Sequence, residues 1–292
     1  MNRMASQPFN SIMRTLRLHA WVCILVSAFT LIRAEDATNS PPLFADKNLE
    51  KAVRKQVFEK RDNDKPLVEA DVSSLSTIKA DGMGITNLAG LEKCVSLASL
   101  ELAKNKIKDL TPLKDLKLVQ FLTLNDNQIE NIMPLGGMKS LQYVELSRNK
   151  VKDISPLTSC TNMASLYLSQ NQITDLSPAF KFARLATLYA DGNKIKSIEG
   201  INQLKYLTSL SLSDNEISDL KPLIGMTSMY SGLYLERNKI KDLSPLVEMA
   251  RKDTEHRSAP FLRVYLKGNP LSSASKNGNI KELEEIGMRI NK

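Results

Sequence analysis

The chain has 292 residues, 42% hydrophobic and only 5% aromatic, so it can bury a sizeable core, and that core must be mainly aliphatic. The formal net charge is +8, but Arg3, Arg14, Arg17 and Arg33 lie in a segment without any acid, and setting those four aside leaves +4. A mildly basic chain with only two His, His19 and His256, argues against a nucleic-acid binder and is poorly supplied for imidazole catalysis.

Residues 1–34 do not read as part of the fold. An Arg-bearing head precedes an uncharged apolar run from Ala20 to Ile32, and small Ala34 stands before acidic Glu35 and Asp36. The run falls short of the ~20 apolar residues that a membrane-spanning helix needs. The segment is therefore expected to be a cleaved secretory signal peptide, with Met1, Met4 or Met13 as its start. The protein is then secreted or held in the periplasm or cell envelope, with no membrane span after cleavage.

Residues 35–76 are expected to form a polar linker and a helical N-terminal cap. Asp46 reads as an N-cap before a short helix that carries Leu49, Val53 and Val57 on one face. A charged break over 61–66 leads into a first, degenerate coil with Ile78, Ala80 and Ile85 at apolar positions and Met83 where an Asn is expected.

Residues 77–250 repeat. Asn105, Asn127, Asn149, Asn171, Asn193 and Asn215 follow one another at intervals of 22, then come Asn238 after 23 and Asn269 after 31. Each unit reads L-x-x-L-x-L-x-x-N-x-I, and no such unit can bury its apolar face alone, so the units must stack. This predicts an α/β leucine-rich-repeat solenoid, with a concave parallel sheet and a short turn or 3-10 convex side. Residues five and three before each Asn, such as Leu100 and Leu102, point into the core from a short strand. The Asn amide is expected to bond backbone groups of its own and neighbouring coils.

A D-L-x-P-L segment follows in several coils, as at Asp109 to Leu113 and Asp242 to Leu246. Its Asp should bond a backbone amide two residues on, and its Pro is expected to stop a full helix. Lys106/Lys108, Lys150/Lys152, Lys194/Lys196 and Lys239/Lys241 alternate with coils carrying Gln128/Glu130, Gln172/Thr174 and Glu216/Ser218, which reads as a solvated ladder that avoids stacking Lys on Lys. Cys94 and Cys160 hold equivalent places three coils apart. At ~4.8 Å per strand they lie beyond the ~7 Å limit for a disulfide, and two buried free thiols are expected.

Residues 251–292 should comprise a charged insertion at 251–257, a last repeat and a C-terminal cap with Ile280, Leu283, Ile286 and Ile290 as its apolar positions. The insertion reads either as a solvated loop or as a functional one.

The N-x-I-x-D-L-x-P-L coils resemble the 22-residue class shared by internalins and the phosphatase-regulating leucine-rich-repeat protein. The start at 46–94 and the run Gly268-Asn269-Pro270-Leu271-Ser272 resemble the cap and last coil of bacterial internalin-like proteins. The resemblance implies a right-handed solenoid that binds a partner.

The outward strand positions carry the variable chemistry. Four before the Asn column stand Glu101, Thr123, Glu145, Tyr167, Tyr189, Ser211, Tyr234 and Tyr265, and two residues earlier on their strands come Phe121 and Tyr143. Five of the seven Tyr thus share one face, bordered by Glu145, Asp191, Asp214, Glu236 and Arg237. Strand propensity and cross-strand packing account for such a column, and so does a binding hot spot with a polar rim. The candidate partner-binding residues are Phe121, Tyr143, Glu145, Tyr167, Tyr189, Asp191, Tyr234, Arg237 and Tyr265. No catalytic residue, metal ligand or cofactor motif is expected. The function expected is a secreted, monomeric, non-enzymatic module whose partner is a protein. The alternatives are a regulatory binder of an enzyme, or a binder of a glycan or other polyanion at the cell envelope.

Overall fold

The computed structural model describes residues 41–254 and 262–292. The expected signal peptide, most of the linker and His256 in the charged insertion lie outside them. Residues from Leu43 onward form one compact unit.

Its spine is a ten-stranded, all-parallel sheet whose strands follow one another in chain order. They are β1 Thr77–Lys79, β2 Ser99–Glu101, β3 Phe121–Thr123, β4 Tyr143–Glu145, β5 Ser165–Tyr167, β6 Thr187–Tyr189, β7 Ser209–Ser211, β8 Gly232–Tyr234, β9 Arg263–Tyr265 and β10 Arg289–Asn291. Pairing is in register with the repeat, so Leu100, Leu122, Val144, Leu166, Leu188, Leu210, Leu233 and Val264 form one buried row. An aliphatic side chain removed from water in this way contributes about 1.5–3 kcal/mol, and no coil can hide its row without the next.

The Asn column ties the coils together. Asn149 Oδ1 accepts from Ile129 N–H of the preceding coil at 3.0 Å, while its Nδ2 donates to Leu124 O at 2.9 Å and to Leu146 O of its own coil at 3.0 Å. The same three bonds recur from Asn105 to Asn269. Immediately before each Asn the backbone is left-handed, with φ of 55° at Lys104, 57° at Asp126, 56° at Arg148, 58° at Gln170, 56° at Asp214 and 51° at Arg237, and with Gly192 and Gly268 in the other two coils. That turn aims the Asn amide inward, and it is held in non-glycine residues at a strain of about 1 kcal/mol each.

On the convex side most coils make a 3-10 turn, such as Thr111–Leu113, Ser155–Ser159 and Lys221–Leu223. The Asp that opens it accepts from the backbone two residues on, at 2.9 Å for Asp109 and Thr111 and at 2.8 Å for Asp153 and Ser155. The Pro does not act as a stop. It sits in the first turn, where its missing N–H leaves no bond unmade, and in one coil the same segment opens the full α-helix α3, Ser244–Lys252. The expectation that Pro prevents a helix is thus corrected in that coil, where Pro sets the start of α3, while the other Pro-bearing coils make the short 3-10 turn expected. Lys152 bonds Glu130 at 2.6 Å and Lys239 bonds Glu216 at 2.6 Å, so the alternating ladder pairs unlike charges. Cys94 and Cys160 are buried and free.

Both ends are covered. At the first, α1 Lys47–Arg54 and α2 Glu69–Val72 precede β1. Asp46 caps α1 by accepting from Asn48 and Leu49 N–H at 2.9 and 3.2 Å, and its second oxygen accepts from Thr86 N–H at 2.8 Å, so one carboxylate pins the cap to the first coil. Val57 is buried but lies beyond the helix rather than on it. Gly90, at φ 104°, leaves room for Phe44 where a Cβ would stand 2.6 Å from its ring. At the second end a π-turn Ser275–Asn279 leads into α4 Ile280–Ile286, Gly287 reverses the chain at φ 109°, and Ile290 falls on β10 beside β9. The C-terminal cap is therefore a helix followed by a tenth strand. No helix among the described residues is long and apolar enough to cross a membrane.

Candidate functional site

Because inward positions are filled by the aliphatic rows, the outward side chains of β3 to β9 face the concave surface. The register places Phe121 beside Tyr143 and, two residues on, Glu145 beside Tyr167, Tyr167 beside Tyr189 and Tyr234 beside Tyr265. Their rings touch in sequence. Phe121 and Tyr143 centroids are 6.4 Å apart, Tyr143 and Tyr167 5.2 Å, Tyr167 and Tyr189 5.3 Å, Tyr189 and Tyr234 6.3 Å, and Tyr234 and Tyr265 4.6 Å with planes 10° apart. The link from Tyr143 to Tyr167 is diagonal, and that from Tyr189 to Tyr234 passes over β7, whose Ser209 and Ser211 are buried.

Two small residues make the row continuous, and neither stood out in the sequence. Ser209 Oγ bonds the Tyr189 hydroxyl at 3.0 Å. Gly232 lies under the Tyr234 ring, and a Cβ there would meet Cε2 at 2.6 Å. The available signal was the glycine itself, standing in a column that Ser or Thr fills in five other coils, at Thr77, Ser99, Ser165, Thr187 and Ser209.

The rings are half-buried except Phe121, which is 48% exposed. Burial first, then the neighbouring phenol and Glu145, push the Tyr143 hydroxyl pKa up, and burial followed by Tyr189 and Glu145 does the same at Tyr167. Tyr234 is raised by burial and then by Tyr265 and Tyr189. These are neutral phenols offering apolar faces and hydrogen bonds.

The polar residues expected at the border divide by their partners. Glu145 adjoins both Tyr143 and Tyr167, and one of its oxygens accepts from Ser147 N–H at 2.8 Å. Asp191 is held by the Ser211 hydroxyl, by Ser213 N–H at 2.7 Å and by the Ser169 hydroxyl at 3.1 Å, so it braces three coils. Arg237 sits past the strand in the left-handed column and makes a bidentate pair with Asp214 at 2.5 and 2.6 Å. The structure therefore brings together the rings and Glu145, while Asp191 and Arg237 are engaged by their neighbours.

A parallel open sheet of short strands, an Asn ladder and tight convex turns define a leucine-rich-repeat solenoid with an aromatic concave face. The family model described as "Leucine Rich repeats (2 copies)" matches residues 117–159, 139–181 and 183–225. Internalin C2 of Listeria monocytogenes strain 4b F2365 is 30% identical over 79% of this chain and 95% of that one, with a TM-score of 0.68. The chain belongs to the internalin-like leucine-rich-repeat proteins. A leucine-rich-repeat protein of Leptospira interrogans, 23% identical, matches over 71% of this chain and 57% of that one with a TM-score of 0.60. A plant peptide hormone receptor, RGFR1 solved in complex with RGF2, matches over 62% of this chain and 30% of that one at 18% identity and a TM-score of 0.53, which shows a shared fold alone. Among curated proteins none matches at a significant level.

Proposed function

We propose that the protein is an exported, non-enzymatic binding module that docks a protein partner on its concave face. The observation that carries this reading is the unbroken ring row from Phe121 to Tyr265 on one face of the sheet. Aromatic pairs in contact hold one another at about 0.5–1.5 kcal/mol each beyond the area they bury. A surface already ordered spends little free energy on being ordered again when a partner arrives. Tyr at the centre of a patch with charged residues around it is the composition of a hot spot. The Arg-bearing, apolar segment 1–34 and the likeness to internalin C2 support export.

The test uses affinity capture from the extracellular and envelope fractions of the producing cell, followed by titration of the captured protein against the wild type and Tyr167→Ala with Tyr189→Ala. Loss of ~2 kcal/mol or more, about thirtyfold in Kd, is expected with the fold intact. Unchanged affinity for a verified partner overturns the reading.

A further inference from the structure

Across the strands and the turns that follow them, five cations are set against an acid of the neighbouring coil. Lys79 meets Glu101, Arg148 meets Asp126, Lys152 meets Glu130, Arg237 meets Asp214 and Lys239 meets Glu216, each pair bridging two neighbouring coils. The last two strands break the pattern. Arg263 on β9 pairs in register with Arg289 on β10, so two exposed guanidinium groups stand side by side on strands ~4.8 Å apart. Among the described residues neither meets a carboxylate. Like charges directly opposite each other destabilise a sheet, so the pair works against the fold that carries it.

The two Arg border a hollow of about 410 Å³ whose other walls are Tyr265, Ile290, Asn291 and Lys292. Lys292 Nζ already pairs with Glu284 at 3.5 Å, so among the hollow's charged side chains the two guanidinium groups are the ones without a carboxylate side-chain partner. Tyr265 belongs both to the hollow and to the ring row, where it stacks on Tyr234. A ligand lying on the rings therefore reaches the Arg pair without leaving the surface. At the other end of the row the charge is reversed, since Glu145 stands beside Tyr143 and Tyr167.

We infer that Arg263 and Arg289 form an anion site at the end of the ring row, and that it takes the carboxylates of an acidic, extended segment of the docked protein. This rests on the reading of the row as the docking face. Guanidinium forks match planar carboxylates two bonds at a time, and a chain running along the rings would present successive carboxylates to both. The opposite charges at the two ends of the row give that chain a direction: acidic residues over β9 and β10, neutral or basic ones over β4.

The probe is fluorescein-labelled hexaglutamate, titrated with the purified protein by fluorescence anisotropy at low ionic strength. Arg263→Ser with Arg289→Ser should weaken it by about tenfold or more. Lys117→Ser with Lys139→Ser removes the same charge from an exposed pair at matching positions of consecutive coils outside the strands, and should weaken it by less than about threefold. Because the Arg pair is destabilising, its removal should leave the melting temperature unchanged or raised, which guards against a folding artefact. Equal losses in the two double variants would mean general charge attraction and overturn the site. So would an Arg double variant that keeps its affinity for hexaglutamate but self-associates, which would make the pair a guard of the β10 edge. Tighter, Arg-dependent binding of a sulfated oligosaccharide would overturn the acidic segment in favour of a glycan. Hexaglutamate should bind the Tyr167→Ala, Tyr189→Ala variant as it binds the wild type, so a failed ring row and a failed anion site give different results.

Discussion

Tyr234 lies over Gly232, two residues back on the same strand, and this is what lets it reach Tyr265 in a stack of 4.6 Å. A methyl group at Gly232 would stand 2.6 Å from the ring edge, closer than any real contact, so the ring must lift. Gly232→Ala is expected to leave the unfolding free energy within about 1 kcal/mol of wild type, because the ring can swing toward solvent. It should still weaken the partner to a degree approaching Tyr234→Ala. Partner titration beside a thermal melt separates these outcomes, and equal binding by wild type and variant would detach the stack from function.

Asn149 should behave very differently from Asn125, although both lie in the turns after strands. Replacing Asn149 by Ala leaves Ile129 N–H without its acceptor and Leu124 O without that donor inside the core. Each buried group stranded in this way costs about 1–3 kcal/mol, so a loss near 3 kcal/mol is expected in urea unfolding. The Asn125 side chain bonds the adjacent Asp126, at 2.7 Å, and reaches no core group, and its Ala variant should lie within about 0.5 kcal/mol of wild type.

The N-terminal cap should loosen in acid through Asp46. Burial works to raise this carboxyl, but the hydrogen bonds from Thr86, Leu49 and Asn87 outweigh it and hold the pKa below its ordinary 3.8. A lowered folded-state pKa means stability that is present above the unfolded value and lost as pH falls through the folded one. Limited proteolysis over residues 43–60 should therefore accelerate below about pH 4. Asp46→Ala should already be accelerated at neutral pH, with the ~1 kcal/mol of a missing N-cap and less further change in acid. A variant that responds to acid as the wild type does would place the sensitivity elsewhere.

Cys94 and Cys160 should ignore thiol reagents in the native protein. Burial, with a smaller contribution from Glu92, pushes the Cys94 thiol up to about 12, and burial also raises Cys160. The nucleophile is the thiolate, so labelling should track unfolding, with both thiols appearing together at the urea midpoint. Labelling in native buffer would show an opening of the coil stack short of global unfolding.

The fold was legible because its determinants repeat. The interval between Asn105 and Asn127, met again coil after coil, can be satisfied only by stacking, and the aliphatic positions around it had one consistent assignment. The ring row was half legible: period-two alternation placed Tyr167 and Tyr189 together, but nothing in one strand says that Tyr143 turns diagonally toward Tyr167. Asp191 and Arg237 looked like a rim because charge was visible and partners were not. The carboxylate of Asp191 is taken by Ser169, Ser211 and Ser213, which lie 20 to 22 residues from it in sequence. Pro245 misled because its effect depends on whether it falls inside a helix or at its first turn, and the Asp242 that bonds Ser244 N–H at the start of α3 is matched by Asp109 and Asp153 in coils that make only a 3-10 turn.

The Asn ladder also gives the molecule a direction. Each amide reaches back, never forward: Asn105 takes Ile85 N–H and gives to Ala80 O, and Asn269 takes Ile240 N–H and gives to Leu235 O. Shortening the stack from its far end would strip away aliphatic cover but leave every remaining amide with all its bonds. Shortening it from the near end would leave the first surviving Asn with an acceptor and a donor facing nothing, so the two ends are not interchangeable. The amino end can therefore begin only with a coil that asks for no predecessor, and Met83, which stands where an Asn would reach back, makes the first coil such a beginning.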